Sequence, residues 1–344
     1  MTTLKHKIRS FLTRRQASIL TYHSVLPSPF PFEIAQHINL ENFENHIRHL
    51  TQYYHCVSLD NLMDQLDKRS VTTRSVAITF DDGFYNNLSC ALPVLAYYNV
   101  PATIFIPTGY IERKELLWPE TLASILALTD AAHVNIGHET LPIRTTEEKS
   151  SAYSAYTRYF KTFSAARIHA ALITIGDELG ISGDDVTNSP FYDYFRIMKW
   201  NELKEIANSP LITIASHSVN HYRLQNITED EARFEISESK KILDDKITAI
   251  RYFAYPFGGY AQDFSEKHIE LVRQAGYRAA VSTRNDMISP ATDRYQLPRP
   301  NVYSMHTISD LNYTLTGGAT LNSPSVKQLL KGILRGTSTM STDS

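Results

Sequence analysis

Val76-Ala77-Ile78-Thr79-Phe80-Asp81-Asp82-Gly83 is the stretch on which the fold turns. The first five residues, rich in β-branched and aromatic side chains, read as a strand. Two adjacent carboxylates and a glycine follow at its terminus. On either side the chain alternates strand with helix. Residues 18–22 are apolar and β-like, and so are residues 102–106, which follow the extended Val100-Pro101 step. Residues 211–215, 252–255 and 279–282 are further strand-like runs. Between them Phe43, Ile47 and Leu50 fall on one helical face, and Leu59, Leu62, Met63 and Leu66 repeat the spacing behind a capping Ser58. Pro93 opens part of another helix. Thr228 and Glu231 form a capping-box pair ahead of Ala232, Ile236, Ser239 and Leu243. Ile269 and Val272 mark one face of a helix that Gly276 can end in the left-handed conformation. Such alternation predicts an α/β protein with a parallel sheet or barrel.

The carboxylates at the end of this strand carry the first chemical signal. Asp81 and Asp82 side by side are costly unless something positive sits beside them, and a divalent cation is the usual remedy. Gly83 lets the backbone turn sharply just beyond. Alone, the motif also fits an Asp-Asp-Gly surface turn. The second signal is Ser216-His217-Ser218-Val219-Asn220-His221, directly after the strand 211–215. Imidazole is the commonest ligand for zinc-like metals, and two histidines four apart converge if a helical turn follows. That pair alone also fits two surface histidines. Both motifs follow predicted parallel strands, where α/β enzymes place their active sites. Asp82, His217 and His221 then make a three-ligand site with positions open for water and substrate.

Composition bounds the rest. The 344 residues carry a formal net charge of −2, which excludes a sequence-independent nucleic-acid binder. With 42% hydrophobic and 20% charged residues, the chain is not mostly disordered. Cys56 and Cys90 cannot build a disulfide framework and point to a reducing compartment. Residues 1–15 hold Lys5, Lys7, Arg9, Arg14 and Arg15 but no apolar run of signal-peptide length. No run is long enough for a transmembrane helix. The expectation is a cytoplasmic protein. Its basic start, with Ile8, Phe11 and Leu12 interleaved, could touch the inner membrane face or stand as a solvated helix. Residues 16–335 are expected to form one barrel domain. Residues 111–195 break the rhythm and read as a helical insertion, with Tyr153, Tyr156, Tyr159, Phe160 and Phe163 clustered and Gly176, Gly180, Gly183 and Pro190 punctuating a loop. The Ser/Thr-rich tail, 336–344, reads as disordered.

With these motifs in place the chain resembles the metal-dependent polysaccharide deacetylases, the carbohydrate esterases of NodB homology. Thr79-Phe80-Asp81-Asp82-Gly83 resembles the family's first motif, and His217-Ser218-Val219-Asn220-His221 its second. Tyr255-Pro256-Phe257-Gly258 is similar to the third, which forms one wall of the groove. The resemblance implies a deformed (β/α) barrel of about seven strands. It also implies Asp81 as catalytic base, a zinc-like divalent metal on Asp82, His217 and His221, and an oxyanion held partly by the Phe257 N–H. Tyr255, Pro256 and Phe257 would contact substrate, and Trp118 could stack on a sugar ring. Tyr22-His23-Ser24-Val25 and Leu297-Pro298-Arg299 resemble the branch acting on bacterial exopolysaccharides and cell-surface glycans.

Two departures stand out. The family's base-holding arginine is replaced by Ala254, with Arg251 nearby, and its late general-acid histidine by Arg299. His23, which follows the first strand, is either the substitute acid or a histidine hydrogen-bonded within the barrel rim. Arg299 then either binds an anionic substrate or keeps Asp81 ionised. The implied reaction is hydrolysis of an N-acetyl amide on a sugar, with acetate released. Its substrate would be an N-acetylated glycan or a lipid-linked or nucleotide-linked sugar. A metal-dependent amidohydrolase of a small non-sugar amide and a non-catalytic glycan-binding protein are the alternatives. A phosphatase with paired aspartates would have no use for His217 and His221.

Overall fold

Strands buried on both faces need unbroken apolar runs, and the central ones here have them. The computed structural model describes residues 16–316. The basic segment 1–15 and the tail 336–344 lie outside the described residues. From the start run β1 (Ser18–Tyr22), α1 (Leu40–Tyr53), α2 (Leu59–Asp67), β2 (Ser75–Phe80), α3 (Leu92–Tyr98) and β3 (Ala102–Ile106). Next come α4 (Trp118–Leu128), β4 (His133–Ile136), β5 (Glu139–Pro142), α5 (Thr146–Tyr159), α6 (Ala165–Leu179) and α7 (Trp200–Ala207). The chain finishes with β6 (Ile212–Ser216), α8 (Glu229–Lys246), β7 (Tyr252–Ala254), α9 (Glu266–Gln274), β8 (Ala279–Val281) and α10 (Ile308–Leu315). Every residue of β1, β2 and β3 is buried.

The main sheet runs β1-β2-β3-β6-β7-β8, and His55–Cys56 pairs with the start of β2 to make seven strands. All its pairings are parallel. Residues 297–302 fill the gap between its two edges. Leu297 bridges Val281 on one side, and Asn301 bridges Thr21 on the other. The Leu297 N–H donates to Ala280 (3.0 Å) and the Val302 N–H to Thr21 (2.8 Å). The architecture is a deformed (β/α) barrel, as the family resemblance implies and within the parallel sheet or barrel that the strand–helix rhythm predicts.

Register sets the level of the strand ends. Tyr22 lies opposite Phe80, Ile106 opposite Ser216, Ser216 opposite Phe253, and Ala254 opposite Val281. The residues that follow β1, β2, β6 and β7 therefore emerge together at one end of the barrel. The helices end where their sequences say. Ser58 accepts from the Asn61 N–H at 3.1 Å, and Thr228 and Glu231 complete their capping box. Pro93 sits in the first turn of α3, after a π-helical turn, Asn87–Ala91. Gly276 follows α9 with φ +80.

The segment between β3 and β6 builds a second core around Leu122, Leu126, Tyr156, Phe160 and Phe195, joined to the barrel through Phe84. Tyr153, Tyr156, Phe160 and Phe163 are buried, while Tyr159 stays 42% exposed. It is not wholly helical. β4 and β5 form an antiparallel hairpin whose turn holds Gly137 at φ +60. Val134 and Ile136 point inward and His133 and Asn135 outward, an alternation only four residues long. Gly176 belongs to α6 rather than to a loop. A Cβ there would lie 2.5 Å from the Ile181 carbonyl oxygen, so that chain crosses too closely for any side chain. Among the described residues no helix is long and apolar enough to cross a membrane.

Candidate active site

The ends of β2 and β6 bring the two sequence motifs together. Asp82 Oδ1 lies 3.3 Å from His221 Nε2 and 3.6 Å from His217 Nε2. One ligand atom from each of Asp82, His217 and His221 falls within 4.8 Å of the others, and all three residues are buried. The backbone is bent to achieve this. Asp82 (φ +69), Ser218 (φ +66), His221 (φ +56) and Phe257 (φ +63) all sit in the left-handed region. Such conformations cost about 1–3 kcal/mol each and cluster at functional sites.

Partners fix the orientation of the rings and the loop. The Ala254 carbonyl accepts from His217 Nδ1 at 2.8 Å, which leaves Nε2 turned toward Asp82. Glu235, on α8 and 2% exposed, grips the histidine loop. It accepts from the Val219 N–H (3.0 Å), the Asn220 N–H (2.7 Å) and the Asn220 side-chain amide (2.7 Å). Sequence reading missed Glu235. The available signal was a carboxylate inside the apolar stripe of Ala232, Ile236 and Ser239.

Asp81 has a different environment. Arg299 binds it through both guanidinium arms, Nη1 to Oδ1 at 2.6 Å and Nη2 to Oδ2 at 2.7 Å. Nη1 also reaches Thr79 Oγ1 at 3.0 Å. Burial works against ionisation of Asp81, but the charge of Arg299 outweighs it and holds the carboxyl down at about 2. Asp82 is pushed the other way, first by burial, then by the nearby charges of Glu120 and Asp81.

The charge is therefore unevenly served. Arg299 satisfies Asp81, while Asp82 Oδ1 and His221 Nδ1 are buried without a hydrogen-bond partner. An oxygen and two imidazoles facing one small volume, with an orphaned carboxylate oxygen among them, fit a divalent cation of the zinc type. Burial keeps His217 and His221 below the usual histidine range, in the neutral form a metal ligand needs.

His23 follows β1 at the same end, and its Nδ1 is buried without a partner. Burial pushes its imidazole down to about 4, against the opposing charge of Asp81. Beside it stands a pair the sequence did not disclose. Glu120 of α4 lies 3.5 Å from His37 Nε2, and both residues are buried.

Several expected substrate contacts are corrected. Tyr255 is 1% exposed, its ring stacked on Phe264 at 3.8 Å, so it offers no face to a sugar. Pro256 is buried as well. Arg299 is 0% exposed and both its terminal nitrogens are engaged, with Asp81 and Thr79, so it does not bind an anionic substrate. Arg251 serves elsewhere, paired with Asp60 at 2.6 Å. Phe257 remains partly exposed, 4.9 Å from the His221 ring and stacked with Trp118 at 6.4 Å.

Comparison with known proteins agrees with this geometry. A family model described as polysaccharide deacetylase matches residues 68–280. The Bacillus subtilis (strain 168) protein YxkH, whose name carries the same family description, is 23% identical over 288 residues, 83% of this chain and 70% of that protein. Among solved structures, the Streptococcus pyogenes deacetylase PplD in complex with acetate superposes with a TM-score of 0.58 at 17% identity, over 87% of this chain and 98% of that one. IcaB from Ammonifex degensii gives 0.57 at 18% identity, over 88% and 97%. A de-N-acetylase from Aggregatibacter actinomycetemcomitans gives 0.55 at 16% identity, over 87% and 99%. At these identities the solved structures bear on the fold alone, and the family model covers most of the barrel. The chain belongs to the polysaccharide deacetylase family, hydrolases acting on carbon–nitrogen bonds.

Proposed function

We propose that this protein is a metal-dependent deacetylase that hydrolyses the N-acetyl amide of a sugar in a glycan or glycan precursor. The observation that carries the reading is the division of labour between two adjacent carboxylates. Asp82 faces His217 and His221 with a free oxygen, while Asp81 is clamped by Arg299.

Asp82, His217 and His221 would hold the metal, with zinc the ion this donor set suits. Bound there, a divalent cation supplies polarisation of the acetyl carbonyl and lowers the pKa of water. The chain's own groups do the rest. Asp81, kept ionised by Arg299, accepts the proton of the attacking water. The Phe257 N–H donates to the oxygen on which charge develops. His23 would deliver a proton to the departing amine, the charge of Asp81 drawing that proton onto the ring against the burial that disfavours it; without a donor a nitrogen anion would have to leave. Acetate and a free amino sugar are the products.

Acetate release from a panel of N-acetylated sugars, with and without a chelator, tests the reading. Release that stops on chelation and returns with zinc is expected. Release that ignores the chelator overturns the metal's role, and no release from any member overturns the substrate class.

A further inference from the structure

A groove of about 720 Å³ opens beside His221 and Phe257 and runs away from the barrel over the insertion. Along α4 and α6 its floor is aliphatic, with Leu117 just before α4, Ile125 of α4, Ile168 and Leu172 of α6, then Ile181 and Val186, and with exposed His169 and Asp177 at the rim. Ile173, 54% exposed, stands on its lip. From this groove we infer that the substrate is a glycolipid, its N-acetylated sugar at Asp82, His217 and His221 and its hydrocarbon chain along α4 and α6. The inference rests on the deacetylase reading and narrows it.

Three observations select this occupant. First, the groove is continuous with the candidate active site, because His221 and Phe257 belong to its wall. Whatever fills it is attached to, or lies against, the reacting group. Second, the lining changes along the groove: beside His221 it is aromatic and polar, with Trp118, Asn220, Tyr222 and Phe257, whereas the stretch along α4 and α6 suits hydrocarbon and not more sugar. Saccharides are held by flat aromatic faces and paired polar groups, whereas hydroxyls laid on Leu and Ile would lose water without gaining partners. Thr121, the hydroxyl in the α4 wall, already donates to the Leu117 carbonyl at 3.1 Å. Third, the first and last described residues lie elsewhere. Gln16 and Thr316 line a different pocket with Ser18, Ser75 and Val76, at the starts of the strands and opposite the candidate site. α6 from residue 165 to residue 176 runs about 16 Å at its rise per residue, room for a chain of many methylenes.

The test uses alkyl N-acetylglucosaminides from methyl to dodecyl, below their micelle concentrations, with the full-length protein. Binding is read by quenching of Trp118, in the groove wall, by a bromine-substituted alkyl chain, with Trp118→Phe as the control for the signal. The Kd is expected to fall about twofold to fourfold for each added methylene, in metal-free and zinc-loaded protein alike. Ile173→Glu and Leu172→Gln are expected to flatten that dependence. A Kd independent of chain length overturns the inference, and so does a dependence that both variants leave intact. A stable dimer that excludes the probe would assign the groove to a second copy. The deacetylase reading fails separately: chain-dependent quenching without acetate release from any N-acetyl sugar sinks the chemistry and spares the groove. Acetate release that is blind to chain length does the reverse.

Discussion

Arg299 and Asp81, 218 positions apart in sequence, form a two-armed ion pair inside the barrel, with contacts of 2.6 and 2.7 Å. The pair exists because residues 297–302 close the sheet between β8 and β1 and bring Arg299 alongside the end of β2. Removing one partner from a buried pair leaves the other charge without compensation. Arg299→Met is therefore expected to destabilise the fold by about 3–5 kcal/mol. Arg299→Lys keeps the charge and loses the fork, so it should lower kcat with a smaller loss of stability. Denaturant unfolding with parallel kinetics checks both, and a neutral Arg299→Met would mean the pair does not brace Asp81.

Asp81→Asn is expected to abolish turnover while the metal stays bound. The amide cannot take a proton from water, yet no ligand has been removed. His217→Ala should lose metal and activity together. Metal analysis of the purified variants separates the two cases, and an active Asp81→Asn enzyme would reassign the base.

His23→Ala is expected to lower kcat by about 10²–10⁴-fold, the usual range for a general acid, with metal content unchanged. The motive is its position after β1 at the same barrel end as Asp81, with an unpartnered Nδ1. Full kcat in the variant would make His23 structural.

Glu235 is a positioning residue, since it grips the backbone between the two histidines and touches neither ring. Glu235→Ala is expected to weaken metal affinity by about 10–100-fold. Glu235→Gln, which keeps an acceptor oxygen, should recover part of it. Calorimetric titration with zinc reads the difference, and unchanged affinity in the alanine variant would free the loop of this dependence.

His268 should report on pH. It is 0% exposed in the first turn of α9, accepts from the Ser265 N–H at 3.0 Å, and is pushed by burial from 6.5 down to about 4. Because the folded value lies below the unfolded one, the fold selects the neutral ring. Its contribution is fully present above about 6.5 and is lost as pH falls through about 4. His268→Asn keeps an acceptor and removes the titration. It is expected to lose less Tm than the parent protein between pH 7 and pH 4.5, and equal losses would exclude His268 as a source of acid sensitivity.

What the sequence determined by itself was local. Apolar runs broken by Asp81-Asp82-Gly83 and by His217 place strand ends, and strand ends in a parallel barrel face one way. That Asp82, His217 and His221 would gather at one end was legible for that reason. The hairpin β4–β5 was not, because four alternating residues in a polar segment are too short a signal against the helices around them. Only tertiary structure decided that Arg299 would hold Asp81, that Tyr255 would stack on Phe264, and that Glu235 would tie down the histidine loop. Each depends on which residues become neighbours when the barrel closes. Burial and pairing between positions tens to hundreds of residues apart are set by strand register and helix packing, and neither is written in any short stretch of the chain.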